Sequence, residues 1–338
     1  MNPSSLLLVL GLASLPVLAT STTSRAAEPA RAANAKSAAN ATSADIFSKD
    51  NLAAWCIVPF DKAKRNPEQR AAMLESLGIK KFVYDYRAEH IPQFEDEVIA
   101  LKKHGIELTG WMFSPAVDPQ DRTQLAPKGR ETLDLFARHG VKPQLWIIKG
   151  GQSIDPGSPE EQERRVAAEV NALRPVSAAA KERGLQVGLY NHGGWYGEPE
   201  NQIAIIDRLR KEGFDNVGIV YNQHHGHGHI ARFSELMQRM APYLICFNLN
   251  GMEIHGDAQG RKILPLGAGP EDVQLLKIIR NSGYKGVIGI LNHTGEDAEL
   301  RLQDNLDGLA WLTPQLDGKP AGAPPEYRSW KPAPKPAQ

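Results

Sequence analysis

Two histidine-rich segments hold most of the chemistry this chain can offer. In Tyr190-Asn191-His192-Gly193-Gly194-Trp195-Tyr196, paired glycines let the backbone turn sharply and aim His192 inward. In Tyr221-Asn222-Gln223-His224-His225-Gly226-His227-Gly228-His229, four histidines fall within six positions. Neutral imidazoles ligate metals or transfer protons near pH 7. His225 with Asn222 is expected to face a pocket, and His229 to begin the next helix. In Asn248-Leu249-Asn250, alternation puts both amides on one side, where they offer donors and acceptors to sugar hydroxyls without adding charge. Asn191 and His293, in Leu291-Asn292-His293-Thr294, complete the uncharged set expected to contact a substrate.

Charged groups occupy comparable places. Lys149, in Ile148-Lys149-Gly150-Gly151, can bind a carboxylate, pair with an acid or, if desolvated, act as a base or Schiff-base amine. Asp85 and Arg87, in Asp85-Tyr86-Arg87-Ala88-Glu89-His90, are expected to bind substrate. Trp111, Trp195 and Tyr196 offer apolar platforms for a pyranose face, with Trp195 assigned to the substrate. Catalytic roles fall to His192, His225 and Lys149; no metal ligand is assigned.

Nearly all these residues follow a short apolar run. The runs predict strands over 54–59, 81–85, 107–113, 144–148, 186–191, 217–221, 244–248 and 286–291. Helices are predicted over 67–77, 91–104, 128–139, 159–183, 199–212, 230–240, 270–282 and 296–312. Pro67, Pro159, Pro199 and Pro270 stand near helix starts, and Gly78, Gly105, Gly140, Gly184, Gly213 and Gly283 where helices should stop. Parallel strands require crossover helices, and eight such units close a barrel whose strand ends share one mouth. A doubly wound sheet would call for a Gly-rich phosphate loop after its first strand, and Pro59-Phe60-Asp61-Lys62 is not one. The expected fold is therefore α/β, a single-domain (β/α)8 TIM barrel over 50–316.

The 338 residues carry 39 basic and 39 acidic side chains with no dense cationic run, which argues against a nucleic-acid partner. An apolar run over 6–18, ending Val17-Leu18-Ala19, reads as a signal peptide over 1–19. Export to a periplasm or the outside follows, with no membrane span after cleavage. An Ala/Ser-rich linker over 20–49 and a Pro-rich tail over 317–338 are expected to be disordered. Cys56 and Cys246 fall in strands 1 and 7, too far apart in a cyclic barrel for a disulfide, so both read as small buried hydrophobes.

The stretches 188–194, 222–225 and 248–250, with Gly283-Tyr284-Lys285-Gly286, together resemble the xylose isomerase-like TIM-barrel superfamily. That superfamily includes sugar phosphate isomerases and epimerases and the endonuclease IV-type AP endonucleases, and the resemblance covers nearly all of 55–312. It implies a divalent metal held by a Glu before Asn-His-Gly, an Asp three residues before a His, a His in a His-Leu-Lys segment and a Glu after the last strand. The corresponding residues here are Tyr190, Asn222, Asn248 and Leu291, so the expected ligands are replaced and no cofactor is identified. Retained beside them are Asn191, His192, Gly193, Gly194 and His225. The resemblance implies a small carbohydrate or sugar derivative as partner. It leads to three readings: a sugar isomerase/epimerase-type enzyme, or a lyase or hydrolase on a sugar derivative, working without a metal through histidine or lysine; a site modified to recruit a softer metal through His192, His225, His227 or His293; or a catalytically silent carbohydrate-binding barrel.

Overall fold

Runs of Val, Ile, Leu and aromatic residues form β1 (Leu52–Trp55), β2 (Lys81–Tyr84), β3 (Glu107–Met112), β4 (Gln144–Ile148), β5 (Val187–Tyr190), β6 (Val217–Asn222), β7 (Leu244–Leu249) and β8 (Val287–Leu291). These eight strands, seen in a computed structural model, pair in parallel in chain order, and β8 returns to β1 to close a barrel. The structure describes residues 45–331 apart from 115, 151, 152 and 156. The expected signal peptide, the linker up to 44, and the end from 332 lie outside the described residues.

Helices fill the crossovers: α1 (Pro67–Ser76), α2 (Phe94–Lys103), α3 (Pro127–His139), α4 (Pro159–Glu182), the single turn α5 (Gly194–Gly197), α6 (Pro199–Lys211), α7 (Phe233–Met240), α8 (Asp272–Asn281) and α9 (Ala298–Leu316). Their ends follow local chemistry. Asn66 closes a reciprocal capping box with Gln69 at the start of α1, and Asp297 accepts from the Glu299 amide at the start of α9. All six predicted stop glycines adopt left-handed φ values between 64° and 90°, which satisfies the last carbonyls without a Cβ clash.

Four expectations are corrected. The first strand lies at Leu52–Trp55 rather than 54–59, because the chain turns at Cys56, whose φ is 59°. The second helix begins at Phe94, after a 3₁₀ turn over Ala88–Gln93 that contains Pro92. Ile46 and Phe47, placed in the linker, are buried in the core. The Pro-rich tail is not free along its described part. Tyr327 donates to the Leu266 carbonyl, and the Arg328 and Ser329 amides donate to Asp304.

Two apolar layers result. The outer one, between strands and helices, holds Trp111, Trp195, Tyr196 and Phe247. The inner one fills the barrel with Ala53, Trp55, Val83, Trp146, Tyr190, Val220, Cys246 and Leu291. Cys56 is buried against the same inner layer, and both cysteines are free thiols, with β8 standing between β1 and β7. Large inner side chains require small neighbours. A Cβ on Gly188 would come within 2.4 Å of Val220 Cγ2, and one on Gly289 within 1.7 Å of Asn248 Oδ1. Aromatic rings thus form a raised floor below the mouth.

Candidate active site at the barrel mouth

Above that floor, four imidazoles gather. The His192 ring lies 4.6 Å from His225, His225 lies 3.8 Å from His224, and His224 lies 5.6 Å from His293, centroid to centroid. Gly193 and Gly194, at φ 85° and 62°, make the turn that presents His192. Gly150 leaves it room, since a Cβ there would stand 3.2 Å from His192 Nδ1. Both ring nitrogens of His224 and Nε2 of His225 are buried without a hydrogen bond.

Burial and mutual positive charge keep these rings neutral. Desolvation, with His192 and Lys262 nearby, pushes His225 down to about 3. Desolvation, Arg87 and Lys262 bring His293 to about 4. His224 is lowered well below the ordinary range by burial first and by its histidine neighbours second. His192, which is exposed, is lowered by partial burial and by Lys262.

The β1–α1 loop supplies Phe60, whose ring lies 3.8 Å from His293, with the Arg87 guanidinium 5.2 Å above its centroid. Asp61 anchors that loop. Its carboxylate accepts from the amides of Ala63, Arg65 and Ala298, and Arg65 extends the bridge to Asp297 and Glu299. Asp85 sits at the end of β2, with both carboxyl oxygens buried and unengaged by any hydrogen bond of ordinary geometry. Desolvation raises it to about 7 against the opposing charge of Arg87. Cys56 Sγ stands 4.0 Å from His293 Nδ1.

Asn222 and Asn248 are register partners on β6 and β7, both buried, with Asn222 Oδ1 and Nδ2 and Asn248 Nδ2 unpartnered. The amides therefore have capacity for a ligand. Asn191 is engaged within the barrel: it bridges β5 to β6, donating to the Asn222 carbonyl and accepting its amide N–H at 2.7 Å. Asn250 Nδ2 donates to the carbonyls of Gly251 and Lys262, while its Oδ1 is buried without a partner. Asn191 is a structural clamp, and Asn250 keeps one free acceptor.

Lys149 and Trp195 are also corrected. Trp146 and Ile148 take the inner face of β4, so Lys149 points outward, where it pairs with Glu169 of α4 and lies 5.4 Å over the Tyr196 ring. Trp195 is fully buried in the outer layer and donates to Gln162 of α4. Trp111 and Tyr196 share that layer, so none of these rings is a platform at the mouth. His229 does lead into the next helix, through a 3₁₀ turn over His227–Arg232.

Sequence reasoning missed His224, Phe60 and Lys262. His224 is indistinguishable from its histidine neighbours by type. Lys262 lies in the long β7–α8 loop and is fixed only by distant partners. Its carbonyl lies 2.9 Å from His227 Nε2 and accepts from Asn250 Nδ2 at 3.3 Å, and the next carbonyl, of Ile263, accepts from buried Arg301 at 3.2 Å.

The divalent metal implied by the resemblance does not fit here. Tyr190 and Leu291 belong to the apolar floor, and Asn222 and Asn248 are neutral amides. A buried phenol held protonated, an alkyl chain and two amides cannot neutralise a hard dication. Among the described residues, no group of three or more His, Cys, Asp or Glu side chains is arranged to hold a metal ion.

Fold and site define an α/β barrel with a strand-end pocket rich in imidazole and amide groups. A family profile described as xylose isomerase-like TIM barrel matches residues 71–314, and the chain belongs to that family. Solved structures share the fold at low identity. A protein of Sinorhizobium meliloti 1021 superposes with a TM-score of 0.59 at 14% identity, covering 78% of this chain and 98% of that one. The 3-keto-D-glucoside 4-epimerase of E. coli gives 0.55 at 17% identity, covering 78% and 99%. D-Psicose 3-epimerase of Clostridium cellulolyticum H10, solved with D-tagatose, gives 0.54 at 13% identity, covering 79% and 99%. No curated protein sequence matches the chain. No helix among the described residues is long and apolar enough to cross a membrane.

Proposed function

We propose that this chain is an exported carbohydrate-active barrel of the sugar isomerase/epimerase type, whose acid/base groups are its own side chains. The observation that carries the reading is the imidazole cluster over unpartnered amides, with Asp85 across the barrel. β2 and β5 stand three strands apart in the eight-strand ring, so Asp85 and His192 flank a ligand from different sides. His192 is neutral and accessible near pH 7, which suits a proton acceptor. Asp85, raised to about 7, exchanges its proton near neutrality. His225, at about 3, is too weak a base and serves as a hydrogen-bonding partner.

In such a reaction one group removes a proton from a carbon beside the sugar carbonyl, and the other returns one from the opposite side. Asn222 and Asn248 would donate to the oxygen that gains charge in between. The export part of the proposal rests on the apolar run over 6–18 and is checked by N-terminal sequencing of the mature protein.

The direct test is solvent deuterium uptake, followed by NMR, for ketoses incubated with the full chain in D2O. Uptake is expected at the carbon beside the carbonyl, and His192→Ala should slow it about 100-fold without lowering thermal stability. Sugar binding with no exchange and no consumption would replace this reading with the catalytically silent carbohydrate-binding barrel.

A further inference from the structure

The mouth carries two cations with no carboxylate partner among the ion pairs of the described residues: Arg87 and Lys262. Neighbouring basic groups are paired, Lys149 with Glu169, Arg65 with Asp61 and Asp297, and Arg261 with Glu253. Arg87 is held by its Nη1 donation to the Tyr86 carbonyl and by stacking over Phe60. Lys262 is exposed, yet its backbone is fixed by His227, Asn250 and Arg301. These long-range contacts fix the backbone from which the Lys262 side chain projects. Both charges help to lower His293, whose ring lies 3.8 Å from the Phe60 ring that Arg87 covers.

We propose that the mouth binds a sugar carboxylate, a uronate or aldonate, whose anionic end is held by Arg87 and Lys262 while the hydroxyls meet the imidazoles and the amides of Asn222 and Asn248. This rests on the carbohydrate reading above and narrows it to a substrate class. With its Cζ 5.2 Å over the Phe60 ring and Nη1 donating to Tyr86, the Arg87 guanidinium keeps N–H groups for the planar, two-oxygen geometry of a carboxylate. Asp85 lies buried at the end of β2 and holds its proton up to about neutral pH, so it does not repel an anion. The three carboxylates implied for a metal cage, which would repel one, are Tyr190, Asn222 and Leu291 here. The cation pair lacks a Gly-rich phosphate loop after β1, which favours a carboxylate over a phosphate ester.

The test is calorimetric titration of the full chain at low ionic strength with D-glucose and D-galactose, with D-glucuronate and D-galacturonate, and with D-glucose 6-phosphate. At least one uronate should bind roughly tenfold or more tightly than its parent sugar, with affinity falling as salt rises. Arg87→Ala and Lys262→Ala should each cost that uronate about tenfold and leave the neutral sugar unchanged. Both side chains are exposed, and unchanged melting temperatures would show that the variants are folded. Equal affinity for uronate and parent sugar, insensitive to both substitutions, overturns the carboxylate inference and leaves the carbohydrate reading standing. Tighter binding of the phosphate ester overturns the choice of anion. Binding of none of the five compounds counts against the carbohydrate reading itself.

Discussion

His224 and His225 stand two to five residues before His227 and His229, yet the two pairs live in different chemistry. His227 sits between two backbone carbonyls, Glu253 at 3.0 Å and Lys262 at 2.9 Å, and its ring N–H bonds to one of them. His229 joins the Tyr221 hydroxyl at 2.9 Å to the Glu198 carboxylate at 3.2 Å. His224 and the Nε2 of His225 have no such partners. Buried polar atoms are normally satisfied, so unengaged ones mark a place where a ligand can supply the missing bonds. One histidine-rich loop therefore contains both a scaffold and a site.

Acid should separate the two sets most strongly. His225 and His293 have folded values of about 3 and about 4, below the ordinary 6.5, so the unfolded chain binds protons first as pH falls. Their contribution is complete above 6.5 and is lost as pH drops towards 4 and 3. Asp85 and Asp272, both raised to about 7 by burial, run the other way: their contribution is present below 3.8 and is lost as pH rises through 7. The imidazole part must therefore be read as a difference. Between pH 7.5 and pH 5, wild type should lose about 3 kcal/mol relative to a His225→Asn, His293→Asn variant, after allowance for solvent screening. Parallel urea-stability curves would show that the rings are not held neutral.

Next in size is His229→Ala, which strips Tyr221 and Glu198 of a shared partner and should cost about 2–3 kcal/mol in urea denaturation. A loss below about 0.5 kcal/mol would erase the distinction between scaffold and site. His227→Ala should cost about 1–2 kcal/mol and speed amide exchange over 253–262, because the loop loses the imidazole seated between the carbonyls of Glu253 and Lys262. Unchanged exchange there would mean that Asn250 and Arg301 suffice. Smallest of all is the effect of Lys149→Met on turnover, expected within about twofold because the amine faces α4. A hundredfold loss of activity would return Lys149 to the mechanism.

The barrel was legible because its punctuation is local: apolar runs, proline starts and glycine stops each act within one or two turns. The strand ends, and with them His192, Asn222 and Asn248, followed from that punctuation. The facing of Lys149 did not, for a physical reason. A strand covered on both sides has no alternation to fix its phase, and Leu145, Trp146 and Ile147 are all buried. Trp195 follows the Gly-Gly turn closely, but α5 carries its ring under the neighbouring helices. Lys262 was beyond reach because its anchors lie 12 to 38 residues away.

The raised floor offers an optical handle. Of six tryptophans, only Trp55 and Trp146 belong to the inner layer, 4.7 Å apart, and Tyr190 above them touches both His192 and His225. Intrinsic emission from that indole pair is expected to respond when the cavity fills. The molecule carries its own fluorescent gauge of occupancy, so candidate compounds can be screened without a label or a known reaction.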